Sequence, residues 1–272
     1  NLFAGALNLT KLAAMKLDFP DPPQGYGGLY MDKAALADVV RRVRQGKAAQ
    51  DGGAYRWLYG AEPSSRPLFD AWADPSGAKM RAAAADISQL AKELSNALVH
   101  GRGIRTFRFG YWHGGLEMMR RGLWIDQVLA SDPLSADERA RVKAAASLFA
   151  YVLWDNDFVP MDNDAGLNLG TANMPQQQQG YRSFYALLLA ANPDFAARAR
   201  LVGDSVLLQV RQQINETGAH FGCTHYIAAA FAPTLNTLMQ VKQLGQADPF
   251  RTEPRLARFA EFYLNLLTPP EV

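Results

Sequence analysis

Two of the four histidines and a tyrosine fall within seven positions, in the run Glu216-Thr217-Gly218-Ala219-His220-Phe221-Gly222-Cys223-Thr224-His225-Tyr226. A histidine and a tyrosine make a suitable base and acid where a carbon-bound proton is removed and a sugar oxygen is protonated as it leaves. If the run is already helical, His225 and Tyr226 point about 100° apart, so at most one of them faces a shared site with a residue one turn away. The alternative is structural: the histidines and tyrosine cap a helix and fill a seam.

Upstream lies a polar loop, Asp155-Asn156-Asp157, then Asp162-Asn163-Asp164, then Asn168 through Pro175, followed by four glutamines, Gln176 to Gln179. Asn173 stands where a loop enters a helix, and there backbone N–H groups and an amide donor can meet a carboxylate. Such a hydrogen bond stabilises the enolate-like charge that builds after proton abstraction. The plainer account is an N-cap at Asn173 with Pro175 in the first turn. Asp155, Asp157, Asp162 and Asp164 are an oxygen-rich set of the kind calcium takes. They miss the helix-loop-helix calcium template, because Pro160 stands where its turn glycine belongs and no glutamate closes the loop.

A third constellation runs from His100 to His113, with Arg102, Arg105 and Arg108 every third residue and aromatics between and after them. Arginine binds carboxylates bidentately and aromatic faces stack on sugar rings, so Arg105, Arg108, Tyr111, Trp112 and His113 are candidates to line an anionic-glycan cleft, joined by Gln176 and Gln177. The same interleaving suits single-stranded nucleic acid. A surface loop with aromatics tucked beneath it has the same pattern.

Composition narrows these readings. Lys+Arg 28 against Asp+Glu 26 gives +2, with no global basic field, so nucleic acid is not the expected partner. The single cysteine, Cys223, excludes an intrachain disulfide and a multi-cysteine zinc cluster. No apolar run is long enough to span a membrane, and Asn1-Leu2-Phe3 lacks the charged start of a signal peptide. Because the chain does not begin with Met, a processed or trimmed chain is the expectation. Dinucleotide, Walker, His-Glu-x-x-His and Gly-x-Ser-x-Gly motifs are all absent.

The elements that must position these residues are helical. After a short helix candidate within residues 1–17, prolines and glycines between Pro20 and Gly28 break the chain, and 34–44 is amphipathic. Tyr55, Trp57 and Tyr59 are read as an aromatic loop. Met80, Ala84, Ile87, Leu90, Leu94 and Leu98 form one face of a long helix, with Asp74-Pro75 as its cap. A second helix is expected over about 110–130, on a stripe of Trp112, Leu116, Met119 and Leu123. Ser135-Ala136-Asp137-Glu138 is a capping box opening a third, carrying Val142, Ala145, Ala146, Phe149, Val152 and Leu153. Further helices are expected over 176–191, then from the Asn192-Pro193-Asp194 cap with Leu201, Ser205 and Leu208 inward, then over 227–244 with a kink or restart at Pro233, and last around Leu256 to Leu267. No period-2 strand run occurs. The expected fold is therefore all-α: antiparallel helical hairpins forming an incomplete (α/α) toroid, in one domain over residues 1–267, with 268–272 a linker or the terminus before a further β-domain.

An Asn-bearing loop before a helix (Asn173-Met174-Pro175), a helical hairpin, then a Gly-led turn into a tyrosine (Gly218 to Tyr226) resembles the helical domain of the heparinase II/III-like polysaccharide lyases, and more distantly the hyaluronate and chondroitin lyases. The resemblance covers the central half of the chain. It implies an (α/α) toroid, an anionic polysaccharide partner, β-elimination at a uronate, and a periplasmic or secreted home. Carried onto this sequence, Asn173 neutralises the carboxylate, Tyr226 is the acid and a candidate base, and His220 or His225 is the alternative base. Departures are Met174 where alginate-type members have histidine, Thr217 where an Asp is usual, and no glutamate between Gly218 and Cys223. Two other readings stand beside it. One is a glycoside hydrolase on a similar barrel using paired carboxylates from Asp157, Asp162, Asp164 and Glu216. The other is a non-catalytic helical-repeat binding module.

Overall fold

The computed structural model describes residues 9–29, 32–45, 71–72, 74, 76–100, 122, 124–155, 157–158, 173–222 and 224–266. Its named elements are α1 (Lys33–Arg44), α2 (Ala78–Val99), α3 (Ala136–Trp154), α4 (Asn173–Leu188), α5 (Pro193–Gln213), α6 (Thr224–Gln243), α7 (Pro249–Thr252) and α8 (Pro254–Asn265). Helix also covers 9–14 and 124–129. Among the described residues there is no strand beyond a single antiparallel bridge, Ile214 to His220, so the protein is all-α. Among them, too, no helix is long and apolar enough to cross a membrane. The chain divides into two compact units, Asn1–Val159 with Ala191–Asp194, and Pro160–Ala190 with Phe195–Val272.

In the first unit α2 packs against α3. The stripe Met80, Ala84, Ile87, Leu90, Leu94 and Leu98 is buried on α2, and Val142, Ala145, Ala146, Phe149, Val152 and Leu153 are buried on α3, as helical periodicity requires. The capping box forms: the Ser135 hydroxyl accepts from the Glu138 N–H, and the Glu138 carboxylate accepts from the Ser135 N–H at 2.8 Å. Asp74 acts from three positions outside the cap. Gly77, at φ 70°, is the N-cap of α2, and Asp74 reaches past it to accept from the Lys79 N–H at 2.8 Å. The Ser76 hydroxyl and the Lys79 and Ser76 N–H groups hold the Asp74 carboxyl down at about 2. Buried Asp126 accepts the N–H groups of Gly27 and Leu29 at 2.8 and 3.2 Å, which satisfies the turn that follows the prolines. The stripe Trp112 to Leu123 and the aromatic loop at Tyr55 to Tyr59 lie outside the described residues.

In the second unit α4 lies against α6. Their closest approach is at Gly180, where a Cβ would stand 2.5 Å from the Pro233 Cβ. The Thr237 hydroxyl bridges the same place, donating to the Pro233 carbonyl at 3.0 Å and to the Gly180 carbonyl at 3.5 Å. Helix α5 runs antiparallel to α6. Gly203 of α5 meets Val241, the Gln246 side chain donates to the Ala199 carbonyl at 3.1 Å, and the far end of α5 leads into residues 214–222, which precede α6.

Two sequence expectations in this unit are corrected. Pro233 neither restarts nor interrupts α6, which runs unbroken from Thr224. One missing N–H removes one rung of the ladder, and the packing on α4 holds the rest. On α5 the expected inward residues Leu201 and Leu208 are 59% and 43% exposed, while Phe195, Ala199, Val202, Val206, Gln209, Val210 and Gln213 are buried. Of the expected face only Ser205 points inward. The buried stripe is Phe195, Ala199, Val202, Val206 and Val210, with Gln209 and Gln213 beside it.

Candidate functional site

Residues 214–222 are built from local polar geometry. The Asn215 side-chain carbonyl accepts from the Thr217 N–H, the Thr217 hydroxyl and the Ala219 N–H at 3.0, 2.8 and 2.9 Å, which closes the turn on itself. Gly218 then takes φ 91° and presses its backbone against Arg258 and Phe259 of α8. Glu216 pairs with Arg255 and Arg258 of the same helix, and the bridge to Ile214 seats His220.

His220 is buried, its ring edge-on to Phe231 at 6.1 Å between centroids. Nδ1 accepts the Gly222 N–H at 2.8 Å, so a neutral ring carries its proton on Nε2. Burial pushes the imidazole below its ordinary pKa of 6.5, which favours that neutral form. Nε2 has no hydrogen-bond partner. The ring therefore offers an N–H and has no lone pair to spare unless the Gly222 contact breaks. That makes His220 a donor rather than a base.

Asn173 is the first residue of α4, one step inside the helix rather than its cap, and Gln176 and Gln177 follow in the next turn. His225 and Tyr226 are in the first turn of α6. Five sequence-predicted residues thus belong to the opening turns of two helices that pack on each other. Arg105, Arg108, Tyr111, Trp112, His113, Asp162 and Asp164 lie outside the described residues.

Of the acidic set, Asp155 and Asp157 share one ammonium: Lys11 Nζ stands 2.7 Å from Asp155 and 2.6 Å from Asp157. Burial pulls the Lys11 pKa down, and the hydrogen bonds and charges of the two carboxylates outweigh it, so it lies above its usual value. Among the described residues no group of three or more metal-ligating side chains gathers. Glu216 is exposed, and the Arg255 hydrogen bond and charge hold its carboxyl below the usual range. A glycosidase acid needs the opposite shift, so Glu216 is suited to anchoring α8 rather than to protonating a leaving group.

No family model, curated protein or solved structure matches this chain. The functional argument accordingly rests on the site.

What sequence reading missed is the interior beneath these turns. Gln176, Gln179, Arg182 and Ser183 on α4, Gln209 and Gln213 on α5, and Thr234, Thr237 and Gln240 on α6 are none of them more than 2% exposed. Many of their polar atoms lack partners, among them Gln179 Oε1, Gln209 Nε2, both amide atoms of Gln213, Thr234 Oγ1 and Gln240 Oε1. Each buried group left so costs about 1–3 kcal/mol. The available signal was the run Gln176 to Gln179, but a polar run on a helix reads by default as a solvent face.

Proposed function

We propose that the second unit carries the site of a polysaccharide lyase that cleaves a uronate-containing glycan by β-elimination. The observation that carries this is positional. Asn173 precedes Gly180 by seven residues, and Tyr226 precedes Pro233 by seven, and Gly180 meets Pro233. Seven residues are close to two turns and rise about 10.5 Å, so each position lies on the contacting face of its helix, about 10.5 Å from the crossing. In this reading α4 and α6 run in the same sense, which would bring the Asn173 and Tyr226 positions to one end of the pair. Helix α5 reverses direction between them, and this order of first helix against third supports reading α4, α5 and α6 as one step of an (α/α) toroid.

In this reading Asn173 donates to the uronate carboxylate, assisted by the N-terminal turn of α4. His220 supplies a neutral N–H donor. His225 or Tyr226 removes the C5 proton, electrons move into a C4–C5 double bond, the C4–O bond breaks, and Tyr226 delivers a proton to the leaving oxygen. Protons balance, and no oxidant, reductant or water is consumed. The loose resemblance of Asn173-Met174-Pro175 and Gly218 to Tyr226 to heparinase II/III-like lyases supports the same assignment, and with it a periplasmic or secreted setting.

The test is absorbance of the unsaturated uronate product with alginate, heparan, chondroitin, hyaluronan and ulvan-type polymers. Activity on one of them, lost in Tyr226→Phe at unchanged circular dichroism and melting temperature, is expected. Silence of the folded wild type on every polymer, or an undiminished rate in Tyr226→Phe, would sink the assignment.

A further inference from the structure

Helix register places the unpartnered polar atoms in relation to that site. Gln209 follows Gly203 by six residues, and Thr234 precedes Val241 by seven; because Gly203 meets Val241 and α5 and α6 are antiparallel, Gln209 and Thr234 stand at about one height. Gln179 is beside Gly180, which meets Pro233, so it shares that height. Gln213 and His220 are about one turn closer to the opening turn of α6, joined by the backbone bond from the Phe221 N–H to the Gln213 carbonyl at 3.0 Å. The result is a polar column leading from the crossing of α4 and α6 toward the opening turn of α6.

The chemistry of the column is mixed. Gln179 Oε1 and Gln213 Oε1 accept, Gln209 Nε2, Gln213 Nε2 and the His220 Nε2–H donate, and the Thr234 hydroxyl does both. Sulfates and carboxylates only accept and call for donors and cations, whereas hydroxyls donate and accept at once. The described buried residues of this unit include one cationic side chain, Arg182. We infer that the interior of α4, α5 and α6 is a saccharide subsite selective for hydroxyl-rich, unsulfated sugar with at most one carboxylate per bound residue. It rests on reading the second unit as the lyase site. As the helices stand these atoms are closed off from solvent, so a sugar reaches them only when the helices around the column part.

Calorimetric titration of Tyr226→Phe with three tetrasaccharides, neutral, unsulfated uronate and sulfated uronate, at roughly 0.02 M and 0.5 M salt separates the outcomes. The neutral and unsulfated sugars are expected to bind with affinities that change less than about 3-fold with salt, and adding Gln213→Leu should weaken them about 10-fold or more. Gln209→Met gives the same readout should Gln213→Leu not fold. Preference for the sulfated sugar with steep salt dependence, absence of binding to all three, or a Gln213→Leu protein that melts higher and binds equally well would each overturn the inference. Glutamine-dependent binding with no unsaturated product from the wild type would leave the subsite standing and remove the lyase reading instead.

Discussion

Replacing Gly180 by alanine tests the contact on which the site depends. The added Cβ would stand 2.5 Å from the Pro233 Cβ and 3.1 Å from the Pro233 carbonyl carbon and oxygen. Carbon atoms settle at about 3.5–4.0 Å, so α4 and α6 must separate by about 1 Å at the crossing. These neighbours are backbone and proline ring, which cannot swing aside as a flexible side chain can. Overpacking of this kind costs about 1–3 kcal/mol. Removing a glycine from a helix interior returns about 1 kcal/mol, so the net loss is about 0–2 kcal/mol. Chemistry is more sensitive: a displacement of about 1 Å between reacting groups lowers turnover about 100-fold. Urea denaturation monitored by circular dichroism gives the first quantity and uronate absorbance the second. The expected result is a folded protein, slightly destabilised, with activity down about two orders of magnitude. A variant about 1 kcal/mol more stable than the wild type and fully active, as at a solvent-facing helical glycine, would refute the contact and the pairing of Asn173 with Tyr226 built on it.

Gly218→Ala should be more damaging to stability, because φ 91° strains any side chain and the new Cβ would sit inside the contact distance of the Arg258 carbonyl and 2.8 Å from the Phe259 nitrogen. Strain of about 1–2 kcal/mol and overpacking of about 1–3 kcal/mol predict a loss of about 3 kcal/mol by denaturant titration; a loss under about 0.5 kcal/mol would contradict the close seating of the turn on α8. His220 predicts a pH dependence. Its folded pKa lies below 6.5 because burial disfavours the charged ring, so protonation favours the unfolded chain, and stability present above pH 6.5 is lost as pH falls through that value toward the folded pKa. In His220→Phe the fall in unfolding free energy between about pH 7 and about pH 5 should be shallower than in the wild type, and an unchanged slope would show that the ring titrates freely in the folded protein.

How much of this was legible depends on whether local pattern and tertiary placement agree. Met80 to Leu98 and Val142 to Leu153 read correctly because every core position of α2 and α3 used by the pattern is apolar, and the capping box at Ser135 is a short-range device that needs no tertiary partner. Helix α5 misread because it carries two apolar stripes. Leu201 and Leu208 face outward, and the buried stripe is Phe195, Ala199, Val202, Val206 and Val210, which has the same helical period and competes with the expected one; Gln209 and Gln213 lie beside it. Pro233 was expected to kink or restart its helix on propensity alone; α6 does not restart there, and the seat of Pro233 against Gly180 supplies packing that offsets the lost hydrogen bond. The site was half legible. The run from Glu216 to Tyr226 stood out by residue type, but the tautomer of His220 follows from the Gly222 N–H, a contact that only the folded turn creates.

The buried glutamines of α5 bear on function as well as on prediction. A core built only for stability would carry leucine or methionine at 209, 213 and 240, where the surrounding helices already exclude solvent, and each such replacement would remove an unpartnered polar group. Sequences that break a local rule do so where something other than stability is served. Here the broken rule is concentrated on the three helices that contribute or adjoin Asn173, His220, His225 and Tyr226, while α2 and α3 of the first unit pack through conventional apolar stripes. The same residues that weaken the second unit's core are the ones able to exchange hydrogen bonds with a hydroxylated ligand, so instability and binding capacity have one physical source. Filling the column with apolar side chains should therefore raise the melting temperature and lower saccharide affinity together, and a change in one without the other would separate the two roles.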